Sequence, residues 1–271
     1  MSNDGLLSYV KISIPSFMKG EMVMQVVVII PSRYGSSRFN GKPLADICGK
    51  PMIEWVCQRA MQAKCVDSVQ VATDDPRIRE VVKGFGGNVV MTSPECRSGT
   101  DRVAEAAERL GLDLGDVVVN IQGDQPLVDP RCFDAVVQPF HDDPAVLMST
   151  LAFAIVDPRE ICDPKDVKVT FDNNGDALYF SRATIPHGRD GSHGYDIYKH
   201  LGVYAYRRGF LERFRSLAPG RLEEIEKLEQ LRAMEHGYRI RVVVSPYDSP
   251  EVDLPMDIQR IEEKMAALGL C

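Results

Sequence analysis

The run Val26-Val27-Val28-Ile29-Ile30 is the strongest constraint on how this chain can fold. Five consecutive β-branched apolar residues leave no polar face. As a strand, the segment must be covered on both sides, which is the condition of an inner strand in a helix-covered parallel sheet. Pro31 and Gly35 then break the strand, and the following loop carries Arg33, Arg38 and Lys42. Ligands of open α/β sheets bind beyond the carboxyl ends of strands. Three fixed positive charges at that place suit a polyphosphate.

Two common phosphate-binding loops do not fit. A P-loop has four residues between its glycines and Ser or Thr after the lysine. Here five residues separate Gly35 from Gly41, and Pro43 follows Lys42. Proline offers neither an amide N–H to a phosphate nor a hydroxyl to Mg²⁺. The dinucleotide pattern G-x-G-x-x-G is missing from the same position, which argues against a nicotinamide site.

Beyond the first strand, spacing predicts helices over 53–63, 78–85, 100–110 and 131–140, alternating with strands over 68–72, 88–91 and 117–122. Such alternation builds a mostly parallel sheet covered on both faces. The order then changes. Strands are predicted over 146–153, 167–171, 176–180 and 201–206, with Asp172-Asn173-Asn174-Gly175 as a hairpin turn. Helices over 209–217 and 222–235, a strand over 239–244 and a helix over 256–268 complete the chain. The fold class is α/β: a mostly parallel twisted sheet flanked by helices. Residues 23–271 are read as one domain with a smaller inserted lobe at about 150–205. Residues 1–22 read as a disordered leader or an upstream-start extension, without a secretory signal pattern.

The net charge of −7 argues against a general nucleic-acid binder. It also means that an anionic substrate must be held by local cations. No apolar run is long enough to span a membrane. The seven cysteines contain no C-x-x-C pair and read as reduced thiols of a cytoplasmic protein.

A second strand with a polar tip, Val117-Val118-Val119-Asn120-Ile121-Gln122-Gly123-Asp124-Gln125-Pro126, repeats the grammar of the first. Asp124 lands where a carboxylate can hold Mg²⁺ bridged by phosphates, or can cap the next helix. Asp253 precedes the last helix; it is either that helix's cap or, if the fold brings it beside Asp124, a second metal ligand. Ser98, Gly99 and Thr100 open a helix whose free N–H groups can bind a base or ribose. Arg182 and His200 can together hold a carboxylate, with Tyr204 as a hydroxyl partner. Glu229 and Gln230 can bind sugar hydroxyls, although by periodicity they are ordinary exposed residues of a helix.

Six blocks in order carry a family resemblance: IPSRYGSSRFNGKPL (30–44), SGTDR (98–102), NIQGDQP (120–126), ALYFSRATIP (177–186), KHLGVYAY (199–206) and EKLEQLR (226–232). Together they resemble the 3-deoxy-manno-octulosonate (KDO) cytidylyltransferases, from about Val26 to Leu268. The resemblance implies a nucleotidyltransferase fold and transfer of a cytidylyl group from CTP to an acidic eight-carbon sugar for lipopolysaccharide synthesis. It implies Arg33, Arg38 and Lys42 on the CTP phosphates, Asp124 and Asp253 on Mg²⁺, and Gln122 beside the substrates. Arg182, His200, Tyr204, Glu229 and Gln230 fall around the sugar, and a homodimer is expected. Two positions depart from the pattern. Similar enzymes often have Glu where this chain has Gln125, and Thr where it has Leu254. Rival readings are a cytidylyltransferase for 8-amino-KDO or sialic acid, a glycosyltransferase, and a non-catalytic nucleotide sensor. The absence of Asp-x-Asp at Asp124-Gln125-Pro126 argues against the glycosyltransferase.

Overall fold

The apolar run forms β1 (Val26–Pro31), and all six of its residues are buried. A computed structural model describes residues 24–35, 39–189 and 194–271. The leader and Arg38 lie outside the described residues. After a 3-10 turn (Lys42–Leu44) come a short ribbon of β2 (Asp46–Ile47) and β3 (Lys50–Pro51), then α1 (Met52–Met61), β4 (Ser68–Thr73) and α2 (Pro76–Gly84). β5 (Asn88–Met91), α3 (Gly99–Arg109), β6 (Val117–Ile121) and α4 (Pro130–Asp142) complete the alternating half. The second half contains β7 (Met148–Ala154), α5 (Pro158–Cys162), β8 (Lys168–Phe171), β9 (Ala177–Ser181) and β10 (Tyr198–Arg207). It ends with α6 (Arg208–Ser216), α7 (Arg221–Glu226), α8 (Leu231–Glu235), β11 (Arg241–Val244) and α9 (Asp257–Ala267).

The sheet order is β11-β7-β10-β6-β1-β4-β5, with β8 and β9 attached beside β10. β1 lies between β4 and β6, parallel to both, with Val28 level with Val69 and Val119. This inner position explains its uninterrupted apolar sequence. Val26, Val28 and Ile30 face α1, α2 and α4, whereas Val27 and Ile29 face α3 and α6. Each such fully buried side chain contributes about 1.5–3 kcal/mol relative to exposure. Asp75, Ser98, Asp129 and Asp157 cap the helices that follow them by accepting backbone N–H groups.

β10 runs antiparallel to β6 and β7 and carries an irregularity between Leu201 and Tyr204. The buried Thr150 hydroxyl on β7 donates to Val203 O at 2.8 Å and so ties the irregularity down. The β8–β9 hairpin pairs with the start of β10 through Val169 and Tyr198.

Two expectations are corrected. The helix predicted over 222–235 is broken into α7 and α8, with Lys227 at φ 54°. The cause is tertiary. The side chain of Arg182 donates Nε to Glu226 O at 2.7 Å, and the Glu226 carboxylate accepts from Ser181 Oγ at 2.6 Å and from Arg182 N at 3.0 Å. A carbonyl at the end of α7 is thus satisfied from outside and the helix stops. The second correction concerns the cysteines. Cys48 and Cys271 form a disulfide across 223 residues, while Cys57, Cys65, Cys96, Cys132 and Cys162 are free thiols. Packing of Ile261 and Met265 from α9 against Ile47, Met52 and Trp55 brings the two sulfurs together.

Candidate active site

The carboxyl ends of β1 and β6 are neighbours, so the loops that leave them meet. The 3-10 turn after β1 places Lys42 Nζ 2.6 Å from Asp124 Oδ2 and 3.8 Å from Asp253 Oδ1. A backbone bond from Val252 N to Asp124 O (3.0 Å) holds the Asp253 segment against the β6 loop. Lys165, from the segment between α5 and β8, reaches Asp253 Oδ2 at 3.2 Å. Neither aspartate caps a helix. α4 is capped by Asp129, and before α9 the Asp257 carboxylate accepts from Asp253 N and Leu254 N.

Asp124 Oδ1 is buried and has no hydrogen-bond partner among the described residues. An orphaned carboxylate oxygen, on an aspartate that shares Lys42 with a second carboxylate, suits an oxygen-preferring cation. Among the described residues no three His, Cys, Asp or Glu side chains form a closed metal cage. Two carboxylates fit Mg²⁺, which keeps waters and takes its other ligands from phosphates. Glu251, two residues before Asp253, is pushed up to about pH 7 by burial first and by the charges of Asp124 and Asp253 next.

A cavity of about 580 Å³ opens beside this cluster and is lined by Gln122, Arg182, His200, Tyr204, Glu229 and Gln230, all expected from the sequence. Their roles differ in detail from the expectation. Arg182 donates to Glu226 O at 2.7 Å and to Pro164 O at 2.9 Å, so much of its hydrogen-bonding capacity is committed to backbone. His200 does not supply a charge. It packs edge-on against Phe180 and beside Tyr204, and burial lowers its pKa to about 3. Its Nε2 lies 2.9 Å from Thr150 Oγ1. Because that hydroxyl donates to Val203 O, it accepts from His200, which assigns the proton to Nε2. The pair expected to hold a carboxylate, Arg182 and His200, thus consists of one cation and one neutral imidazole. Burial likewise holds the Tyr204 hydroxyl protonated.

The break between α7 and α8 turns Glu229 and Gln230 inward. Glu229 accepts from Ser98 Oγ at 2.8 Å and Thr100 Oγ1 at 2.5 Å, tying the start of α3 to the acceptor side. Gln230 is buried, and its Nε2 has no partner among the described residues. Gly99 sits in close contact with Gln122 and the end of β1. A Cβ there would lie 3.3 Å from Gln122 Nε2 and 3.4 Å from Pro31.

A second cleft of about 450 Å³ lies over the ends of β1, β4 and β5 and contains Arg33, Tyr34, Asp74, Arg77 and Arg102. Arg102 is buried, pairs with Asp74 at 3.0 Å and donates to Thr92 Oγ1 at 2.5 Å. The Arg77 guanidinium stacks 3.3 Å from the Tyr34 ring centroid. The structure thus separates Arg33 from Lys42, one in each half of the site. Sequence reasoning missed Asp74, Arg102, Lys165 and Glu251. The signals were present in Thr73-Asp74-Asp75-Pro76, which ends β4, and in the glutamate close to Asp253.

A family model described as cytidylyltransferase matches residues 27–240. A Desulfatibacillum aliphaticivorans protein named 3-deoxy-manno-octulosonate cytidylyltransferase is 64% identical over 239 residues, 88% of this chain and 98% of its own length. A Shewanella sediminis protein named 8-amino-3,8-dideoxy-manno-octulosonate cytidylyltransferase is 57% identical, covering 90% of this chain and 99% of its own. Among solved structures, a CMP:2-keto-3-deoxy-manno-octonic acid synthetase complexed with CTP matches with a TM-score of 0.85 and 43% identity, over 90% of this chain and 99% of that one.

Proposed function

The chain belongs to the cytidylyltransferase family, and from that premise we propose that it transfers the cytidylyl group of CTP to 3-deoxy-D-manno-octulosonate, releasing pyrophosphate and giving CMP-KDO for lipopolysaccharide synthesis. The observation that carries the reading is the convergence of Lys42, Asp124 and Asp253 beside the acceptor cavity, whose lining includes Asp253.

Both reactants are anions, so repulsion must be offset before a sugar hydroxyl can reach the α-phosphorus. Arg33 and Lys42 supply positive charge to the phosphates, and Arg38 joins them by sequence position. Lys42 also faces the charge that develops on the departing pyrophosphate. We assign Mg²⁺ as cofactor, with Asp124 and Asp253 as the residues that would hold it. Bound there, it would supply Lewis-acid stabilisation and lower the pKa of the attacking hydroxyl. On the acceptor side, Arg182 brings the cavity a positive charge, His200 and Tyr204 present neutral polar groups, and Gln230 offers an unpartnered amide donor. Glu229 anchors Ser98 and Thr100, next to Gly99 and Gln122, so that the nucleotide and acceptor halves keep their spacing.

A terminal amine in place of the acceptor's terminal hydroxyl is a second reading. It is favoured by the Glu251 carboxylate in the acceptor cavity. We also propose a homodimer, supported by exposed Val156, Leu178 and Tyr195 on the 150–205 segment. Cytoplasmic residence is proposed from the five thiols that stay free beside the Cys48–Cys271 disulfide. Among the described residues no helix is long and apolar enough to cross a membrane.

Pyrophosphate release from CTP with each sugar acid, in the presence of Mg²⁺, tests the function. Turnover with the eight-carbon sugar acid is expected. Tight CTP binding without pyrophosphate release from any acceptor would refute it in favour of a nucleotide sensor.

A further inference from the structure

Asp253 stands beside Asp124 although no regular element carries it there. Between β11 and α9, residues 245–256 form neither helix nor strand. A segment without a ladder takes its path from isolated backbone bonds and side-chain contacts. Three of these come from the β6 loop. Val252 N donates to Asp124 O at 3.0 Å. Ser249 Oγ donates to Gln125 Oε1 at 3.0 Å, which fixes the sense of that amide, and Gln125 Nε2 then donates to Glu251 Oε1 at 3.1 Å.

β10 holds the same segment from another side. Lys199 Nζ donates to Asp248 Oδ2 at 3.1 Å, and to the two Glu160 oxygens of α5 at 2.9 and 3.0 Å. The Lys199 side chain is only 8% exposed. An ammonium so deeply placed is tolerated when it is paired. Burial alone would lower its pKa, but Asp248 and Glu160 raise it above the usual lysine value, so the charge is kept. One nitrogen thus joins two carboxylates from separate segments, both of which line the acceptor cavity. Without it the two would repel each other. β10 meets the segment again at Gly202, where a Cβ would lie 3.0 Å from Gln125 Nε2 and 3.4 Å from Glu251 Oε1. The strand therefore backs the segment at Asp248 and at Glu251, two residues short of Asp253. Lys199 belongs to the KHLGVYAY block but has no part in the chemistry assigned above.

We propose that Lys199 is a positioning residue of the metal pair: its bond to Asp248 fixes residues 248–253 against β10, so that Asp253 stands beside Asp124. The inference rests on the cytidylyl-transfer reading, with its two aspartates as Mg²⁺ ligands, and deepens it. The contacts from the β6 loop move with Asp124. The Lys199–Asp248 bond refers the segment to β10 instead, the strand that also carries His200 and Tyr204. Groups that orient a metal ligand from outside its coordination shell govern affinity as well as rate.

The test uses the purified full chain. Mn²⁺ binding to the CTP complex is measured by electron paramagnetic resonance, and turnover by pyrophosphate release with Mg²⁺. Lys199→Met is expected to weaken Mn²⁺ binding and lower kcat, each about 10-fold, the lower end for loss of a group that supports a metal ligand. Lys199→Arg, which keeps the charge, is expected to restore most of both. Asp248→Asn serves where Lys199→Met fails to fold, because Lys199 then keeps Glu160; the same weakening of Mn²⁺ binding is expected. Glu160→Gln removes the other partner and leaves the segment attached, so Mn²⁺ binding is expected to stay at the wild-type value. Unchanged Mn²⁺ binding in Asp248→Asn overturns the proposal and leaves the cytidylyl-transfer reading standing. Equal weakening in Asp248→Asn and Glu160→Gln would make Lys199 a general support of the fold and overturn it as well. No pyrophosphate from the wild type with any acceptor would remove the cytidylyl-transfer reading and this inference with it.

Discussion

His200 offers the sharpest quantitative check on the acceptor side, because its burial makes stability depend on pH in a calculable way. Its native pKa is about 3, whereas an unfolded histidine titrates near 6.5, about the solution value. A base whose native pKa is depressed contributes stability that is present above the unfolded value and lost as pH falls below it, because only the unfolded chain takes up the proton. From pH 7.5 to pH 5 this linkage removes about 2 kcal/mol, and the result does not change provided that the native pKa stays well below 5. Glu251 works in the opposite direction. Its carboxyl is raised to about 7, so the stability it contributes is full below the unfolded carboxyl pKa and is lost as pH rises through 7. The two effects partly cancel in the wild type, so the wild type alone is a poor test. The comparison with His200→Gln isolates the imidazole, since the remaining groups titrate in both proteins. Urea unfolding of metal-free protein, followed through the fluorescence of the buried Trp55, gives the two free energies. The wild-type advantage over His200→Gln is expected to shrink by about 2 kcal/mol between pH 7.5 and pH 5. An advantage that stays constant over that range would mean His200 protonates in the folded state. A charged imidazole beside Arg182 would then be available to hold a carboxylate.

Three further substitutions probe the nucleotide half and its link to the acceptor. Lys42→Met is expected to lower kcat about 10²–10³-fold, the effect of removing one preorganised charge stabiliser; a rate near the wild type would take Lys42 out of the chemistry. Asp124→Asn is expected to abolish Mg²⁺-dependent turnover and weaken Mn²⁺ binding in the CTP complex. Unchanged binding by paramagnetic resonance would contradict a ligand role. Glu229→Gln removes the charge that accepts from Ser98 and Thr100. It is expected to lower kcat/KM about 10-fold, the scale of a charged hydrogen bond lost, and wild-type values for both substrates would make the tie merely structural.

Local pattern carried much of this protein. The all-apolar run of β1 already implied an inner strand, and β6 repeated its design, so the meeting of Lys42 and Asp124 followed from two parallel neighbours ending at the same side of the sheet. The capping serine before α3 and the Asp172–Gly175 turn were likewise legible, because caps and turns depend on a few adjacent residues. Other features depended on groups distant in the chain. Periodicity ran a helix through Lys227, but Arg182, 45 residues away from it, ends that helix and turns Glu229 and Gln230 inward. Whether His200 carries a charge depends on how completely β7, β9 and its own strand enclose it, and no residue type announces its own desolvation. Cys48 and Cys271 became partners only when α9 docked on the β2–β3 ribbon. Glu251 acquired its orientation only when Gln125 and Ser249 met beside it. Hydrophobic period and turn chemistry are written over a few neighbouring residues. The pairing of polar groups and the shift of their pKa values arise between segments, and only the folded chain brings those segments together.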